Sequence, residues 1–408
     1  MNTDRVSIIL AGVGGYGKFY VDTLLSDAAS GRVRIVGAVD PLASKSPCLA
    51  ALERAGVPFF ESLRDFYGGQ SAQLAILATP IHRHCPQTCE ALENGSNVLC
   101  EKPLGATIQE ARRMMEARDE ARRFVAIGYQ WSFSRSVQRL KNDIRGGRFG
   151  RPVLLKTIVL GPRTEKYYGR NDWAGAVKSP EGEWVLDSPV NNAMAHYLHN
   201  MFYVLGSGTD PAAMPAEVVA ELYRVNPITN YDTGVIRCRT LGGVEVLFYT
   251  SHAVAEERGP EFTYTFEKAR VVCAGWGEPI RALFHDGTVE DYGNPLDEPQ
   301  RKVWNCVDAV LGRDSVACGP ESASAQTLCM NGAQESAPDI AEFPRELVLE
   351  RGDPGERLLY VEGLAEALAR AYDSGKLLSD VSVPWAVRGE PVDLRGYTEF
   401  PRGSSRRV

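Results

Sequence analysis

The feature that most constrains the fold of this chain is a glycine-rich turn between a strand and a helix near its N-terminus. Residues 6–11 form an apolar run that is typical of a buried strand. The sequence Gly12-Val13-Gly14-Gly15-Tyr16-Gly17 follows, with the spacing G-x-G-x-x-G, and a helix-compatible stretch comes next. A second strand, residues 34–39, ends in Asp40, roughly twenty residues beyond the last glycine. Strand, glycines, helix, strand and acidic residue in this order predict a dinucleotide-binding unit.

Each glycine of the turn has a distinct physical task in such a unit. Gly12 allows the tight turn, Gly14 lets the backbone approach a pyrophosphate, and Gly17 permits close packing of helix on strand. The helix N-terminus adds free N–H groups and a positive partial charge for the phosphates. Asp40 is placed to accept hydrogen bonds from ribose hydroxyls and to repel a 2′-phosphate, which predicts NAD rather than NADP. The predicted cofactor contacts here are Gly12, Gly14, Gly15, Tyr16, Gly17 and Asp40.

Strands and helices continue to alternate up to residue 128. Strands are predicted at 74–78, 97–100 and 124–128, and helices at 84–94 and 108–122. Repeated β-α units of this kind predict a doubly wound parallel sheet, and therefore an α/β fold. Lys102 follows the strand that ends at residue 100, at the edge where open α/β sheets bind their ligands. On its own, Lys102 would be interpreted as a solvated surface charge.

Three motifs taken together resemble one known family. They are the glycine turn, the segment Ala78-Thr79-Pro80-Ile81-His82-Arg83-His84, and Glu101-Lys102-Pro103, in this order and with similar spacing. The set resembles the Gfo/Idh/MocA oxidoreductases, the group of glucose–fructose oxidoreductase and inositol dehydrogenase, throughout residues 1–130 and more loosely to residue 210. The resemblance implies that Lys102 touches both nicotinamide and substrate. It adds Thr79, Pro80, His84, Glu101 and Lys102 to the expected cofactor contacts.

The resemblance also implies the domain organisation. We expect a Rossmann domain at residues 1–128, a substrate-binding and oligomerisation domain at 129–375, and an extended C-terminal tail at 376–408. Alternating apolar segments between residues 217 and 266 fit the large, mostly antiparallel sheet that the resemblance implies for the second domain. Residues 358–372 have the pattern of an amphipathic helix. One face of the large sheet is expected to lack helices of its own, which predicts a homodimer or homotetramer.

A second cluster of polar residues lies between residues 184 and 200. In the family an aspartate precedes a histidine by four positions; here His196 matches the histidine, but Asn192 occupies the place of the aspartate. Residues four apart share a helix face, so both can meet one ligand. An asparagine can position a hydroxyl but cannot titrate, so the role of base is assigned to His196. Lys102 is expected to stabilise an alkoxide unless burial lowers its pKa, and Asp187 is too distant in sequence to assume that it replaces the missing carboxylate.

Four residues are predicted to contact substrate, each with a simpler alternative. Asn192 and His199 share the polar cluster, although His199 could instead support helix packing. Trp173 belongs to an aromatic loop that could stack on the C–H-rich face of a sugar or merely anchor the loop. Tyr129 lies in the segment that resembles the family's crossing into the second domain.

Composition excludes several other classes of protein. The net charge of −7 gives no reason to expect nucleic acid or an anionic membrane as partner. We find no apolar run of 18 residues and no signal-peptide pattern at the N-terminus. The nine cysteines lack a CxxC pair, which favours reduced thiols in the cytoplasm. Cys85 and Cys89 lie near His82 and His84, but no second ligand cluster follows, so no metal site is predicted.

The sequence therefore predicts an NAD(P)-dependent oxidoreductase that acts on a secondary hydroxyl of a sugar, a cyclitol or a derivative. A related alternative keeps NAD tightly bound and uses transient oxidation for epimerisation, elimination or glycoside cleavage. A different alternative is a non-catalytic regulator that senses a nucleotide or a sugar. The presence of both Lys102 and His196 argues against the regulator.

Overall fold

The computed structural model describes residues 5–27 and 31–403. Residues 1–4 of the predicted Rossmann domain and residues 404–408 of the predicted tail lie outside the described residues.

Six parallel strands form the first sheet. The strands are β1 (Val6–Ala11), β2 (Val33–Val39), β3 (Phe59–Phe60), β4 (Leu74–Leu77), β5 (Asn97–Cys100) and β6 (Val125–Ile127). Their order across the sheet is β3-β2-β1-β4-β5-β6. The direction of winding thus reverses between β1 and β4, which is where such sheets bind ligands.

Five helices in the described residues connect these strands. They are α1 (Gly17–Ser26), α2 (Leu49–Arg54), α3 (Leu63–Tyr67), α4 (Ile81–Glu93) and α5 (Ile108–Ala121). The sequence predicted three of them, α1, α4 and α5. Helix α5 begins with a capping box in which Thr107 and Glu110 satisfy each other's backbone N–H groups. The strands β1, β4 and β5 are buried almost throughout, as expected for a sheet covered on both faces. The predicted doubly wound Rossmann domain is therefore confirmed.

The second half of the chain builds a mixed sheet of ten strands. The strands after β6 are β7 (Pro152–Leu160), β8 (Pro215–Arg224), β9 (Thr233–Thr240), β10 (Glu245–Ser251), β11 (Arg258–Phe266), β12 (Ala269–Cys273), β13 (Ile280–Phe284), β14 (Val289–Gly293), β15 (Ala341–Glu342), β16 (Val348–Arg351), β17 (Leu358–Val361) and β18 (Val392–Asp393). The large sheet has the order β14-β13-β12-β11-β7-β10-β9-β8-β15, with β18 also paired to β8, while β16 and β17 form a separate hairpin. Only the pairs β7–β10 and β8–β15 are parallel, so the mostly antiparallel sheet is confirmed.

Seven further helices follow β6 in the part of the chain that the structure describes. They are α6 (Gln130–Phe133), α7 (Arg135–Arg145), α8 (Glu165–Tyr168), α9 (Ala195–Val204), α10 (Arg301–Val310), α11 (Pro320–Ser336) and α12 (Leu364–Ser374). A π-helical turn, Pro189–Ala193, precedes α9. Helix α11, which the sequence analysis missed, is buried at every position except Glu321 and Glu335. A helix buried all round has no apolar stripe by which to recognise it. Within the described residues, no helix combines the length and the apolarity needed to cross a bilayer.

The large sheet is covered on both faces by this chain itself. Residues 155 and 159 of β7 face a core shared with α9 and α11, whereas residues 158 and 160 face a second core built with residues 343–385. Buried hydrogen bonds fasten this cover. The Glu221 carboxylate accepts from the backbone N–H groups of Leu378 and Ser379, at 2.9 and 3.1 Å. The expected uncovered face is therefore wrong for the strands β7 to β10, and the prediction of a homo-oligomer loses that support.

Two other expectations for the end of the chain need correction. The predicted helix 358–372 is the strand β17 followed by α12, because Gly363, with φ of 74°, turns the chain between them. The predicted tail is not a free extension. Its strand β18 pairs with β8, and Phe400 exchanges two backbone hydrogen bonds with the side chain of Gln109 in α5. Short apolar anchors spaced along an irregular segment give no periodic signal, so the sequence did not predict this return to the first domain.

Candidate active site

A cleft of about 990 Å³ runs along the carboxyl ends of the first sheet's strands and reaches the second domain. Of the residues predicted to contact cofactor or substrate, the following line it: Gly12, Gly14, Gly15, Tyr16, Asp40, Thr79, Pro80, His84, Glu101, Lys102, Trp173 and Asn192. Gly17, Tyr129, His196 and His199 do not line it. The cleft therefore brings together most of the predicted site and has two ends, a nucleotide end at the glycine turn and a reaction end at Lys102.

The glycine turn has the close contacts that its residues were predicted to permit. A Cβ atom on Gly17 would lie 2.0 Å from the carbonyl oxygen of Gly12, and one on Gly12 would lie 2.5 Å from the carbonyl oxygen of Ala78. Gly12 also has a φ of 81°, which L side chains rarely adopt. A Cβ on Gly14, in contrast, would meet no atom within 4 Å. The backbone at Gly14 is thus bare toward the cleft, as a pyrophosphate site beside the α1 N-terminus requires.

The Asp40 carboxylate is fixed at the end of β2. One oxygen accepts from the backbone N–H of Val13 at 3.1 Å, and the other accepts from that of Leu42 at 2.8 Å. These bonds tie the carboxylate to the glycine turn while leaving it on the wall of the cleft. Turn, helix terminus and carboxylate together fit the adenosine and pyrophosphate half of NAD.

His84 ties two loops together at the edge of the cleft. Its Nδ1 lies 2.7 Å from the carbonyl oxygen of Pro103, and its Nε2 lies 2.9 Å from that of Thr79. Burial lowers the pKa of His84, although both carbonyls oppose that shift. The ring joins the loop after β4 to the loop after β5. His84 therefore shapes the cofactor wall and sets the position of Pro103, the residue after Lys102.

A buried ion pair that the sequence analysis missed joins the two domains beneath the cleft. Lys302 in α10 contacts the Glu101 carboxylate and donates to the Tyr16 hydroxyl at 3.1 Å. Burial alone would raise the pKa of Glu101, but the Lys302 ammonium and hydrogen bonds from Lys302 and Tyr20 outweigh it and lower the pKa. The Lys302 ammonium also lies 4.6 Å from the ring centroid of Tyr16. No motif surrounds Lys302, so only the tertiary contact identifies it.

Lys102 is held by a single residue of the second domain. Its Nζ donates to the backbone oxygen of Asn192 at 2.7 Å and to the side-chain Oδ1 of Asn192 at 3.0 Å. Burial lowers the pKa of Lys102 to about 8, against the opposing effect of the Glu101 and Asp187 carboxylates. The sequence analysis allowed Lys102 a role in proton transfer only if burial lowered its pKa. The structure meets this condition.

Asp187 is part of the site despite its distance in sequence from His196. Its Oδ1 accepts from the Nδ2 of Asn192 at 2.7 Å. Asn192 lies in the π-helical turn 189–193, and this turn brings the Asn192 side chain back to Asp187. The sequence analysis did not assume that Asp187 replaces the missing carboxylate, and the structure brings Asp187 into contact with Asn192, the residue at the aspartate's place.

His196 lies beside the cleft rather than on its wall. Its ring meets the edge of Tyr129, with 5.7 Å between the ring centroids, and its Nδ1 is buried without a hydrogen-bond partner. Burial lowers the pKa of His196 well below its usual value, and Lys102 and Lys302 lower it further. This direction favours a neutral ring at pH 7, and the role of His196 as the base stays a prediction.

The structure places Tyr129 and His199 in the protein core. Both are fully buried, and their rings stack with 3.9 Å between centroids. The His199 Nε2 lies 2.9 Å from the Ser132 hydroxyl, while the Tyr129 hydroxyl donates to Gln326 in α11 at 3.1 Å. Side chains without exposed surface do not reach a substrate in this conformation. His199 therefore fits the alternative of helix packing, and Tyr129 packs against the ring of His196.

Trp173 lies on the wall of the cleft, and its stacking on a sugar stays a prediction. The guanidinium of Arg170 lies 3.7 Å from the ring centroid of Tyr167 and 5.4 Å from that of Trp173. Tyr167, Arg170 and Asn171 line the cleft as well. An aromatic surface with adjacent polar groups suits a ligand that has both C–H faces and hydroxyls.

The residues considered for a metal do not form one site. Both ring nitrogens of His84 face carbonyl oxygens, and Cys85 and Cys89 are buried. In the part of the chain that the structure describes, one group of three possible ligands comes together: His82, Glu181 and Glu183. Both glutamates are exposed, and Arg83 lies 3.5 Å from Glu183. We assign no metal to this group.

Comparison with known proteins agrees with the predicted fold and enzyme class. Residues 6–129 match the family described as "Oxidoreductase family, NAD-binding Rossmann fold". The chain is 25% identical over 363 residues to inositol 2-dehydrogenase 1 of Saccharopolyspora erythraea, covering 84% of this chain and 98% of that protein. It is 29% identical over 151 residues to the rhizopine catabolism protein MocA of Rhizobium meliloti, covering 37% of this chain and 46% of that protein.

Solved structures share the fold at lower sequence identity. The WlbA dehydrogenase of Chromobacterium violaceum, solved with NADH and UDP-GlcNAcA, has a TM-score of 0.70 at 21% identity, covering 88% of this chain and 97% of that chain. The WlbA dehydrogenase of Bordetella pertussis has a TM-score of 0.67 at 22% identity, covering 82% and 97%. Fold and site thus define an oxidoreductase that binds NAD through a Rossmann domain. Residues 6–129 match the Gfo/Idh/MocA family that the motifs resemble, and the predicted cofactor and enzyme class are confirmed.

Proposed function

We propose that this protein is an NAD-dependent dehydrogenase that interconverts a secondary hydroxyl and a carbonyl on a sugar, a cyclitol or a derivative. The observation that carries the proposal is the Lys102 amine, fixed by two oxygens of Asn192 at the reaction end of the cleft. When bound, NAD supplies the hydride acceptor. The protein then has to hold the substrate and take up the hydroxyl proton.

Lys102 is suited to handle that proton. A charged lysine has three N–H donors, and Asn192 engages two of them. The third position is left for a substrate oxygen. When Lys102 is neutral, its lone pair accepts the hydroxyl proton; when it is charged, its remaining N–H returns a proton to the oxygen. A pKa of about 8 makes both forms available near neutral pH. This assignment moves the base from His196 to Lys102.

In this proposal His196 acts as a neutral hydrogen-bonding group. Its lowered pKa keeps the ring uncharged, so it can orient the reacting hydroxyl without competing for the proton. Asn192 contacts Lys102 and lies four residues before His196 in the sequence. Trp173 and Arg170 are proposed to hold the rest of the substrate.

The substrate class rests on the cleft and on the relatives. The wall beside Lys102 combines an indole face with guanidinium and amide groups, which match the C–H faces and hydroxyls of a polyol. Two relatives are an inositol 2-dehydrogenase and a protein of rhizopine catabolism, which favours cyclitols over open-chain alcohols. A cytoplasmic location is proposed because all nine cysteines are buried and free. The sheet face that residues 343–385 cover is not proposed as a surface for self-association.

The test is a screen of cyclitols and cyclic sugars with the purified protein and NAD. Reduced nicotinamide absorbance should appear with at least one compound. The kcat/KM for oxidation should rise with pH and reach half its maximum near pH 8, because only neutral Lys102 accepts the proton. Nicotinamide absorbance in the protein as purified, with product formed but no net reduction, would instead favour the enzyme with tightly bound NAD. Nucleotide binding with no turnover of any polyol would favour the regulator.

A further inference from the structure

Asp187 is buried next to the reaction end and follows a strained backbone position. Its side chain is 3% exposed. Leu186, the residue before it, has a φ of 49°, a conformation that is rare and strained for a bulky L residue. Strain of this kind persists where the surrounding structure imposes it, and it often marks a functional segment. The segment that carries it leads directly into the π-helical turn that presents Asn192.

Asp187 and Lys102 are connected through one residue. The Asn192 side chain donates from Nδ2 to the Asp187 carboxylate at 2.7 Å and accepts at Oδ1 from Lys102 at 3.0 Å. An asparagine amide can be turned over at little cost in shape, which exchanges its donor and acceptor. Turned over, the Asn192 amide would offer N–H groups to a lysine ammonium and an oxygen to a carboxylate. The carboxylate makes that orientation unfavourable.

We propose that Asp187 is a positioning residue that locks the Asn192 amide with its oxygen toward Lys102 and so fixes the direction of the lysine's free position. The inference rests on the proposed function for its effect on turnover. The geometric claim itself concerns this chain alone. Nothing in the family motif that the sequence resembles requires a carboxylate nine residues before the histidine, so the arrangement belongs to the asparagine that this chain carries at position 192.

The surroundings of Lys102 predict how the loss of this carboxylate would be observed. Burial lowers the pKa of Lys102, the Glu101 and Asp187 carboxylates oppose the shift, and Lys302 and Arg170 add to it. His84 and His196 also face Lys102, and the pKa of each is lowered. Replacing Asp187 by a neutral residue removes one of the two carboxylates, so the pKa of Lys102 falls further.

Asp187 also has local partners, which a test has to separate from its effect on Lys102. Its Oδ2 accepts from the Gly175 N–H at 2.6 Å and lies 3.7 Å from the Arg170 guanidinium. Its backbone oxygen accepts from Asn230 at 3.0 Å. A purely structural role for these bonds would lower stability without moving the pH dependence of the reaction.

The first measurement compares Asp187→Asn with the exchange Asp187→Asn/Asn192→Asp. The single variant should lose about 10- to 100-fold in kcat/KM, because the lysine is misdirected, and its pH profile should shift to lower pH. The exchange restores an amide and a carboxylate to the pair, now with the carboxylate against Lys102. It should recover activity to within about tenfold of the unmodified protein and move the profile back to the original pH or above it. An unshifted profile in the single variant, or an exchange variant no better than the single one, would overturn the proposal.

The second measurement needs no substrate, so it separates failure of this inference from failure of the proposed function. Competitive acetylation with acetic anhydride, followed by mass spectrometry, gives the pKa of Lys102 in each variant. The pKa of Lys102 should fall in Asp187→Asn and rise in the exchange variant. Should Asp187→Asn not fold, Asp187→Ser keeps an acceptor for Gly175 without the charge and should give the same fall.

A matched control distinguishes the loss of the Asp187 charge from the loss of a buried carboxylate elsewhere in the protein. Asp232 is fully buried and accepts from the Val225 and Asn226 backbone, away from the cleft. Asp232→Asn should lower thermal stability and leave the Lys102 pKa unchanged. An equal fall in both variants would count against Asp187 as a specific positioning residue.

Discussion

The nucleotide end and the reaction end of the cleft are built from different materials. The nucleotide end consists mainly of backbone: Gly12, Gly14 and Gly17 form one short turn, and the α1 N-terminus completes it. The reaction end consists of side chains from separate segments, with Lys102 in the first domain and Asn192 in the second. Backbone geometry depends on sterics within a few residues, whereas side-chain geometry depends on how distant segments pack. The two ends should therefore respond differently to substitution.

The largest effect should come from removing the amine at the reaction end. Lys102→Ala should lower kcat by about 10²–10⁴-fold, the usual range for general acid–base help, and leave the Kd for NAD within about a factor of three. Steady-state kinetics and a fluorescence titration with NADH measure the two. Lys166→Ala is the control, because that lysine is exposed and pairs with Glu356. Comparable loss of NAD binding in Lys102→Ala would show that the two ends are not separable.

The next effect should come from the crowded glycine of the turn. Gly17→Ala places a Cβ 2.0 Å from the Gly12 carbonyl oxygen, so the turn must shift. We expect the free energy of unfolding to drop by about 1–3 kcal/mol and NAD affinity to drop with it. Gly14→Ala should weaken NAD binding without loss of stability, since its Cβ would meet no protein atom within 4 Å. Urea unfolding and NADH titration of the pair measure this, and equal stability losses would contradict the contrast.

A smaller effect is expected at His196. If it only orients the hydroxyl, His196→Ala should lower kcat/KM by about tenfold, the worth of one hydrogen bond, and the rise of activity near pH 8 should persist. The pH profile of kcat/KM for this variant decides the point. A loss as large as that of Lys102→Ala, together with loss of the pH dependence, would return the role of base to His196.

The smallest effect should be on the choice of cofactor. Asp40→Ala removes a carboxylate that repels a 2′-phosphate, so the ratio of kcat/KM for NADP to that for NAD should rise by roughly three- to tenfold. Asp40→Asn keeps an acceptor for the Val13 or Leu42 N–H without the charge and should show a similar rise with less loss of stability. If the unmodified protein already used NADP as well as NAD, the assigned role of Asp40 would be wrong.

One face of the large sheet, which the resemblance implied to be uncovered, is covered by this chain itself along strands β7 to β10. An uncovered sheet face implies a partner subunit, because exposed apolar area is costly. In this chain, residues 343–385 supply that cover, with Leu364, Leu368 and Tyr372 packed against Tyr249 and Leu247 of β10. The expectation taken from the family failed for strands β7 to β10 because the β16–β17 hairpin and helix α12 of this chain cover that face.

The sequence by itself determined the first domain and the nucleotide end of the site. Buried strands appear as apolar runs, helix starts and turns have local signatures, and the tasks of Gly12 and Gly17 follow from sterics within a few residues. Lys102 could be placed at a strand end for the same reason. Asn192 and His196 could be identified through their resemblance to the family's Asp/His motif, although a π-helical turn begins that segment.

Only the tertiary structure decided what these residues do together. It lowered the pKa of Lys102 to about 8 by burial, brought Asp187 to Asn192, and inserted Lys302 beneath Glu101. It also withdrew His199 and Tyr129 into the core. Burial and side-chain orientation depend on contacts between residues far apart in sequence, such as Glu101 and Lys302. No local pattern in the sequence encodes such contacts, so the chemistry of the reaction end could be assigned only from the folded protein.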